Sequence, residues 1–425
     1  MTNNLQFYFI RFLIVFFPIF IISGPFLSDM SGVILVCFFF KEIIINKNYK
    51  FLYKNNLFIF FLIFYILILL SIFFSEISSS KVIKNIFYIR FILFSFAISY
   101  FVQLDNKIFS ILGKALIFCF IFLFFDSIFQ YMFKYNIFGY ELHKPNNFVR
   151  VSSLFGDELV LGSYISRLLP LCVGLYLLES IKIRSIIKIF FLLTISGLLV
   201  VMSGERTSLF YYIFFCVIFF LKNSSFNKYK IYFLIIWIFI LTTTLIVNKD
   251  FKNRLIINTI NQIYEPKEIS DGKIEYTFKF LSKHHQGHAI AAINIFKDNY
   301  LIGSGPQSFR FICKKPKYKV KYGCENHPHN TYVQLLSELG IFGFLIILIF
   351  FIIIVYKIFV IIWNSYFKKY NNYMFVELCF LTCFAISIFP VIPSGNFFNN
   401  WISIIYYFPL GLYLAFNEMY LKKQK

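Results

Sequence analysis

Long apolar runs are the feature of this chain that most restricts its fold. Runs of about 20 apolar residues recur along most of the 425 residues, and a helix of that length crosses the ~30 Å hydrocarbon core of a bilayer. Unbroken runs favour membrane helices over the alternating strands of a membrane barrel. The composition agrees, because 59% of the residues are hydrophobic and only 14% are charged. The sequence therefore predicts an all-α polytopic membrane protein, with the lipid bilayer as a partner.

The apolar runs divide into twelve predicted membrane spans. Their predicted limits are 5–23, 26–45, 56–74, 85–103, 108–133, 159–178, 186–202, 207–221, 230–248, 335–356, 373–389 and 401–417. Lysine and arginine concentrate in alternate short loops: Lys47, Lys50 and Lys54 share one loop, whereas residues 24–31 and 390–400 contain neither type. Lysine-rich loops face the cytoplasm, so we predict that both termini are cytoplasmic. The same distribution accounts for the net charge of +21, so we expect no nucleic-acid partner.

Two predicted outer segments are too long to be simple turns. Residues 134–158 join the fifth and sixth spans, and residues 249–334 form a large polar loop between the ninth and tenth. The chain thus divides into residues 1–248 with nine spans, the large loop, and residues 335–425 with three spans and a cytoplasmic tail. Long loops on a rigid scaffold commonly carry function. We therefore expect the functional residues in the outer segments.

The histidines agree with this expectation, since all six lie in the two outer segments. Histidine is the side chain best suited to proton transfer near neutral pH. Their distribution predicts that any chemistry occurs on the outer face. They are His143, His284, His285, His288, His327 and His329.

The stretch ENHPHNTYVQLLSELGIFGF, residues 325–344, brings two of these histidines to the start of a membrane helix. We predict that Thr331 caps this helix and that Gln334 completes a capping box. His329 precedes the cap, where a neutral imidazole could accept a proton from a hydroxyl nucleophile. The alternative is that His329 only binds loop backbone.

Two arginines are placed where they could bind a phosphate group. Arg206 lies in the tight outer turn MSGERTSLF, and Arg150 precedes a span in NNFVRVSSLF. A guanidinium group is always charged and binds a diphosphate through two parallel hydrogen bonds. The alternatives are anchoring at lipid headgroups, or an ion pair between Arg206 and Glu205.

The cysteines and glycines of the large loop suggest structural roles. In an oxidising periplasm we predict a disulfide between Cys313 and Cys324; two free thiols are the alternative. A zinc site from Cys324, His327 and His329 lacks the usual paired spacing. Without a carboxylate-rich motif either, we expect no metal and no cofactor. The GSGP sequence at 303–306 is too short for a phosphate-binding loop and predicts a turn.

Charged residues in or near the spans raise the alternative of a transporter. A transporter would favour charge pairs at the membrane midplane and two related halves, and the sequence shows no such halves. Inter-helix pairing or snorkelling is the simpler reading. Arg167 is the exception, because it lies within a few turns of Asp157 and Glu158 and could bind them or a phosphate. These charged residues are Arg90, Asp126, Arg167 and Glu377.

Several motifs together resemble the O-antigen ligase and polymerase family. HPHNTYVQLLSELGIFGF is similar to its hallmark, and INIFKDNYLIGSGPQSF to the segment that precedes it. SGERTSLF resembles its short arginine turn, and PSGNFFNNW at 393–401 the segment before its last span. The resemblance extends from about residue 150 to residue 401.

The resemblance implies an inner-membrane glycosyltransferase of the GT-C type in lipopolysaccharide biosynthesis. Such enzymes take a glycan from undecaprenyl diphosphate on the periplasmic side without a metal. Ligases pass it to a hydroxyl of lipid A–core, and polymerases to a second lipid-linked glycan. By this resemblance His329 accepts the proton of the incoming hydroxyl, and Arg206 and Arg150 hold the diphosphate.

One departure from the family concerns the third phosphate contact. Many members have an arginine and then a tryptophan before the run that corresponds to AIAAINIF, whereas this chain has HHQGHAIAA. His288 or His285 is the candidate replacement, although an imidazole binds phosphate less strongly than a guanidinium does. His327 and Arg167 complete the predicted substrate-binding residues.

Overall fold

The computed structural model describes residues 4–53, 55–75, 83–144, 149–179, 183–222, 227–268, 274–278, 282–367 and 372–421. Within these ranges the chain is almost entirely helical, and the predicted all-α polytopic class is confirmed. A departure from it is the antiparallel hairpin of strands β1 (Tyr264–Glu268) and β2 (Ile274–Phe278), which the sequence pattern did not predict.

The α-helices of the described residues are α1 (Asn4–Val15), α2 (Phe17–Ile22), α3 (Pro25–Ile45), α4 (Lys50–Tyr53), α5 (Asn56–Phe73), α6 (Ile89–Leu104), α7 (Lys107–Phe133), α8 (Leu161–Glu179), α9 (Ile183–Ser203), α10 (Arg206–Leu221), α11 (Asn227–Val247), α12 (Lys249–Lys252), α13 (Asn258–Ile263), α14 (Lys283–Asp298), α15 (Phe309–Ile312), α16 (Thr331–Phe367), α17 (Asn372–Ser387) and α18 (Asn400–Phe416). Short 3-10 helices cover Ile83–Tyr88, Ser153–Phe155 and Pro316–Tyr318, and π-helical turns cover Asn253–Ile257 and Asn417–Leu421.

Each of the twelve predicted spans falls on one or two of these helices. Within the described ranges, seven helices are long and apolar enough to cross a membrane, and the count of twelve spans stays a prediction. The seven are Asn56–Phe73, Ile83–Leu104, Lys107–Phe133, Leu161–Glu179, Ile186–Ser203, Tyr229–Val247 and Thr331–Phe367. Three shorter apolar helices, Asn4–Val15, Arg206–Leu221 and Tyr373–Ser387, add to the apolar bundle.

Helix α8 lies at the centre of the bundle and packs against α7, α9, α10 and α17. Small residues permit this close packing, since membrane helices associate through van der Waals contact rather than through the hydrophobic effect. At Gly174 an added Cβ would lie 2.9 Å from the Cβ of Cys379 in α17, so a larger residue would push the two helices apart. By contrast, α11 is peripheral and leaves apolar side chains such as Ile235 and Phe239 exposed, as expected for a lipid-facing helix.

The large loop, residues 249–334, has a core of its own. Helix α14 and the segments that follow it bury a small apolar cluster, and Cys313 and Cys324 are joined by a disulfide with 5.3 Å between their Cα atoms. The cluster consists of Ala291, Ala292, Ile295, Phe309, Ile312, Cys313 and Tyr318. This core and α14 pack against the beginning of α16. Which side of the membrane the loop faces stays a prediction.

The GSGP segment forms the predicted turn and docks on a kink in α16. Gly340 has non-helical torsion angles (φ 68°, ψ −165°), which interrupt the helix. Ser304 and Gly305 donate backbone N–H groups to the carbonyl oxygens of Ser337 and Glu338 at 3.0 and 2.9 Å. These bonds satisfy carbonyl groups that the kink leaves without helical partners. The contact fixes the large loop to α16.

Candidate active site

A cavity of about 1110 Å³ lies where the 134–158 and 249–334 segments meet the ends of the helices. Its walls include the α2–α3 junction, the segment before α8, the segments around Gln307 and His329, and residues 393–402. Several charged or titratable side chains line it: Lys84, Glu158, Arg167, Glu205, Arg310, His327 and His329. The structure thus brings three of the predicted site residues, Arg167, His327 and His329, to one cavity.

His329 is positioned by the N-terminus of α16, although the predicted cap is wrong. The side-chain oxygen of Asn330, rather than that of Thr331, accepts the N–H groups of Tyr332 and Val333 at 3.0 and 3.1 Å. The Thr331 hydroxyl instead bonds the Ser394 hydroxyl at 2.8 Å. His329 adopts a left-handed conformation (φ 57°), and its carbonyl oxygen accepts the N–H of Ser394 at 2.9 Å. This bond supports a conformation that non-glycine residues rarely adopt.

The predicted capping box is absent because the Gln334 side chain has other partners. Its Nε2 donates to Glu338 and to Asn396, both at 2.9 Å, and its Oε1 accepts the N–H of Phe397 at 3.0 Å. Gln334 therefore ties α16 to the segment before α18, which forms another wall of the cavity.

Four histidines cluster at this point. The ring centroid of His329 lies 4.0 Å from that of His327, 5.2 Å from that of His288 and 5.7 Å from that of His285. His285 and His288 belong to α14, which packs against α16. The cluster joins a motif upstream of the GSGP turn to the motif around His329.

Burial keeps these imidazoles neutral at pH 7. It lowers the pKa of His285 and of His288 to about 4, and that of His327 to about 3, with the nearby His329 as the next cause. The pKa of His329 is also lowered by burial, while the carboxylate of Glu325 opposes that shift. His329 is therefore in the form that can accept a proton.

Three arginines meet next to this cluster, around Gly204. Arg150 donates from Nε to the carbonyl oxygen of Ser203 at 3.0 Å, and Arg254 donates from Nε to that of Gly204 at 3.4 Å. Both Arg150 and Arg254 lie within electrostatic range of Arg206. Gly204 has φ 65°, and an added Cβ would lie 3.2 Å from Cγ of Arg150. The glycine thus permits both the turn and the close approach of the arginines.

Glu205 pairs with Arg150. The alternative considered from the sequence was an ion pair between Glu205 and Arg206, and the structure does not form it. Its Oε1 lies 4.0 Å from the Arg150 guanidinium and accepts the N–H of Gly162 at 2.8 Å. Burial raises the pKa of Glu205, and Arg150 opposes this shift. Arg206 instead donates to Gln262 at 2.7 Å and to Thr259 at 3.4 Å, both in α13. One carboxylate among three guanidinium groups leaves an excess of positive charge.

Arg254 was not among the residues predicted from the sequence. Arg254 and Arg310 are the two arginines of the lysine-rich 249–334 loop, a signal that could have singled them out. The positive charge of Arg206 contributes to lowering the pKa of His285, after burial and the nearby His329. The arginine group and the histidine cluster are therefore neighbours.

Arg167 is almost completely buried, with 4% of its surface exposed. It lies over the ring of Tyr211 at 5.2 Å, contacts Ser163, and lines the cavity. Glu158 lines the same cavity, whereas the Asp157 side chain is 97% exposed and lies near His143. Arg167 thus faces the cavity rather than the Asp157 side chain.

The other charged residues near the spans have local partners. Arg90 forms a two-point ion pair with Asp29 at 2.8 and 2.9 Å. Asp126 accepts the N–H of Ile137 at 3.1 Å and a bond from Ser153. Glu377 accepts a bond from Tyr413 at 3.3 Å. Arg90 and Glu377 thus pair between helices, and Asp126 pairs with the 134–158 segment, which fits a structural role better than a transport path.

The fold and cavity define a polytopic helical membrane protein with a histidine- and arginine-rich site beside a large polar loop. Residues 190–348 match a family model described as O-antigen ligase. This match supports the assignment to the O-antigen ligase family that the motif resemblance predicted. The family implies a ligase activity of the glycosyltransferase kind, with a lipid-linked glycan and a lipid acceptor. No curated protein matches the chain.

The matched residues include most of the candidate site. Arg206, Arg254, the four clustered histidines and Arg310 lie between residues 190 and 348, whereas Arg150 and Arg167 precede that range. The PSGNFFNNW segment follows it, so the match is narrower than the resemblance from about residue 150 to 401. The 393–402 segment nevertheless forms part of the cavity wall.

Proposed function

We propose that this protein is a glycosyltransferase of the bacterial inner membrane. It transfers a glycan from undecaprenyl diphosphate to an acceptor hydroxyl on the periplasmic face, and both of its termini are cytoplasmic. The observation that carries the proposal is the position of His329, a neutral imidazole at a large cavity with an arginine group nearby. A disulfide in the large loop supports an oxidising compartment for that side.

In the proposed reaction His329 acts as the general base. The acceptor hydroxyl oxygen forms a bond to the anomeric carbon of the donor glycan. The proton of this hydroxyl passes to the unprotonated ring nitrogen of His329. The bond between the anomeric carbon and the phosphate oxygen breaks, and undecaprenyl diphosphate leaves with the electron pair. A positioned base of this kind contributes on the order of 10²- to 10⁴-fold to the rate.

The arginine group stabilises the leaving diphosphate. Arg206 and Arg254 supply permanent positive charge where negative charge develops, which is the most effective form of transition-state stabilisation. Arg150 keeps this group compact through its bond to Ser203 and its pairing with Glu205. We assign the third phosphate contact to Arg254 rather than to His288, because a neutral imidazole attracts phosphate weakly. His288 instead packs on His329 and orients it.

With guanidinium groups in this role, the reaction needs no metal ion. A transfer assay tests both the metal-free mechanism and the role of His329 as base. It measures transfer from a defined undecaprenyl diphosphate glycan by purified protein, with and without EDTA. We expect full activity in EDTA and a loss of at least about 10²-fold in His329→Ala. His284→Ala is the matched control, because His284 is exposed, packs on Tyr322 and lies outside the cluster.

Two results would contradict the proposal. Loss of activity in EDTA would show that a metal ion, rather than the arginine group alone, is needed. Normal transfer by His329→Ala would show that His329 is not the general base. Monodisperse elution of His329→Ala from size exclusion shows that a loss is not caused by misfolding.

The acceptor separates a ligase from a polymerase, which would use the same donor. We propose the ligase, with lipid A–core as acceptor, because the matching family model is described as O-antigen ligase. In a host that lacks the gene, a ligase defect abolishes all capping and lets lipid-linked polymer accumulate. Single capped units without long chains would instead identify a polymerase that joins lipid-linked repeat units.

A further inference from the structure

The wall of the cavity contains buried polar atoms without a hydrogen-bond partner in the described part of the chain. They include Nε of Arg310, Oε1 of Gln307 and Nε2 of His327. All three residues line the same cavity. Buried polar atoms of this kind are costly to leave unsatisfied, so their grouping at one cavity indicates a site that a polar ligand completes.

The segment that carries Arg310 and Gln307 is held in place by other contacts. The buried carboxylate of Glu338 accepts the N–H groups of Gln307 and Phe309 at 2.9 and 3.2 Å. Nε2 of Gln307 donates to the carbonyl oxygen of Phe398 at 2.9 Å, which leaves its Oε1 for the cavity. Three residues after Arg310, Cys313 is joined by a disulfide to Cys324. The Gln307 side chain and the backbone that carries Arg310 are therefore preorganised.

This site is distinct from the arginine group around Gly204. Arg206 and Arg254 do not line the cavity, as far as its described lining shows. The positive charge of Arg206 contributes to lowering the pKa of His285, whereas that of Arg310 contributes to lowering the pKa of His327. His285 and His327 both contact His329, at 5.7 and 4.0 Å between ring centroids. Two cationic sites thus adjoin the same imidazole through different neighbours.

The charge of the cavity indicates the chemistry of its ligand. Arg310, Arg167 and Lys84 line it together with Glu158 and Glu205. Glu205 is engaged by Arg150 and by the N–H of Gly162, so its charge is largely balanced. The remaining excess is positive, and the fork of Arg310 suits a planar carboxylate or a phosphate.

We propose that Arg310 and Gln307 form a subsite for an anionic group, a phosphate monoester or a carboxylate, on the acceptor glycan. This inference rests on the proposed function, because it places the acceptor hydroxyl beside His329 and the donor diphosphate at Arg206 and Arg254. Arg310 binds the anionic oxygens, and Oε1 of Gln307 accepts a hydrogen bond from a neighbouring sugar hydroxyl. The acceptor is thereby selected by charge as well as by shape.

Binding of small probes to the full-length protein in neutral-lipid nanodiscs tests the subsite without requiring turnover. The probes are glucose 6-phosphate, glucuronate, glucose and inorganic diphosphate, and neutral lipid removes competing anionic headgroups. We expect Arg310→Gln to weaken the binding of glucose 6-phosphate or glucuronate by about tenfold or more. The affinity for diphosphate should stay within about twofold of the wild-type value. Arg206→Gln should show the opposite pattern.

Two further variants complete the experiment. Arg310→Lys keeps the charge but loses the fork, so we expect an intermediate loss and a folded protein. Lys314→Gln removes an exposed charge four residues away and should bind all probes as the wild type does. The stronger of the two anionic sugars identifies the phosphate or the carboxylate as the preferred group.

Three outcomes would overturn the subsite. The first is that wild type, Arg310→Gln and Arg310→Lys bind glucose 6-phosphate and glucuronate equally well. The second is that glucose binds as tightly as both anionic sugars, and the third is that Arg310→Gln loses diphosphate binding. The last result would place Arg310 in the donor site. If diphosphate binding survives in Arg206→Gln while the anionic sugar still depends on Arg310, the donor assignment of the proposed function fails and the subsite stands.

Discussion

The imidazole rings of His327 and His329 lie 4.0 Å apart, between centroids, on either side of Pro328. Two cations at this distance would repel each other strongly, so only one of the pair is protonated readily. Arg310 disfavours a cation at His327, whereas the carboxylate of Glu325 favours one at His329. The pair therefore directs an incoming proton to His329, the ring that we propose as the base.

The pH dependence of transfer should reflect this arrangement. Burial lowers the pKa of His329 below the usual value of about 6.5, so its neutral form persists below that pH. We expect kcat/KM to decline as the pH falls through the lowered pKa, with the midpoint of this acid limb below pH 6.5. Glu325→Gln removes the opposing carboxylate, so the acid limb should move to a lower pH.

Asp298→Asn is the control for the pH profile, because it removes a carboxylate from the same loop that pairs instead with Lys317 at 2.8 Å. Its acid limb should coincide with that of the wild type. An acid limb at or above pH 6.5 in the wild type would contradict a depressed His329 pKa.

Arg254 should be as sensitive to substitution as Arg206. Lysine at either position keeps a charge but loses the planar fork that binds two phosphate oxygens. We expect Arg206→Lys and Arg254→Lys to reduce kcat by about tenfold or more, since charge stabilisation acts mainly in the transition state. Lys252→Gln, at the end of α12, removes a nearby charge of the same loop and should retain activity. Wild-type turnover in both lysine variants would indicate simple anchoring at the membrane surface.

Much of the fold could be predicted because apolar runs of span length have few alternatives in a membrane. Asn56–Phe73 and Lys107–Phe133 coincide with predicted spans to within a residue or so. The cap of α16 could not be predicted, since Asn330 and Thr331 are both good capping residues and differ by one position. The choice depends on Ser394, which engages the Thr331 hydroxyl from 63 residues away.

In the site, too, the residues of local motifs could be predicted, whereas contacts between distant segments could not. His329 could be singled out because its motif is local, next to the start of a membrane helix. Arg254 stands out only as one of two arginines in a lysine-rich loop. Its approach to Arg206 could not be predicted, because it depends on how α13 and the π-helical turn before it fold over Gly204. The position of Arg310 was missed for a related reason: the backbone just before it is held by Glu338, which is buried in α16.

The disulfide should stabilise the segment between Arg310 and His327, which both line the cavity. Closing a loop of this length stabilises a folded structure by about 2–3 kcal/mol, mainly by restricting the unfolded chain. We expect the double variant Cys313→Ser, Cys324→Ser to expose residues 309–329 to faster hydrogen exchange and to lower activity. Cys37→Ser, a free and exposed cysteine, is the control. Unchanged exchange in the double variant would show that the loop core alone holds this segment.

The docking of the GSGP turn on α16 gives the sharpest test of the fold that supports the site. Gly303 has φ 75°, and an added Cβ would lie 2.4 Å from the backbone of Glu338 and Leu339. Gly139 also has a positive φ, 85°, but has nothing within 4 Å of an added Cβ. Gly139→Ala therefore measures the conformational cost alone, about 1–2 kcal/mol, whereas Gly303→Ala adds a backbone clash. We expect Gly303→Ala to lower the melting temperature more than Gly139→Ala does and to reduce transfer, because the displaced turn carries Gln307 and Arg310. Equal melting temperatures for the two variants would contradict the close contact between the turn and the kink at Gly340.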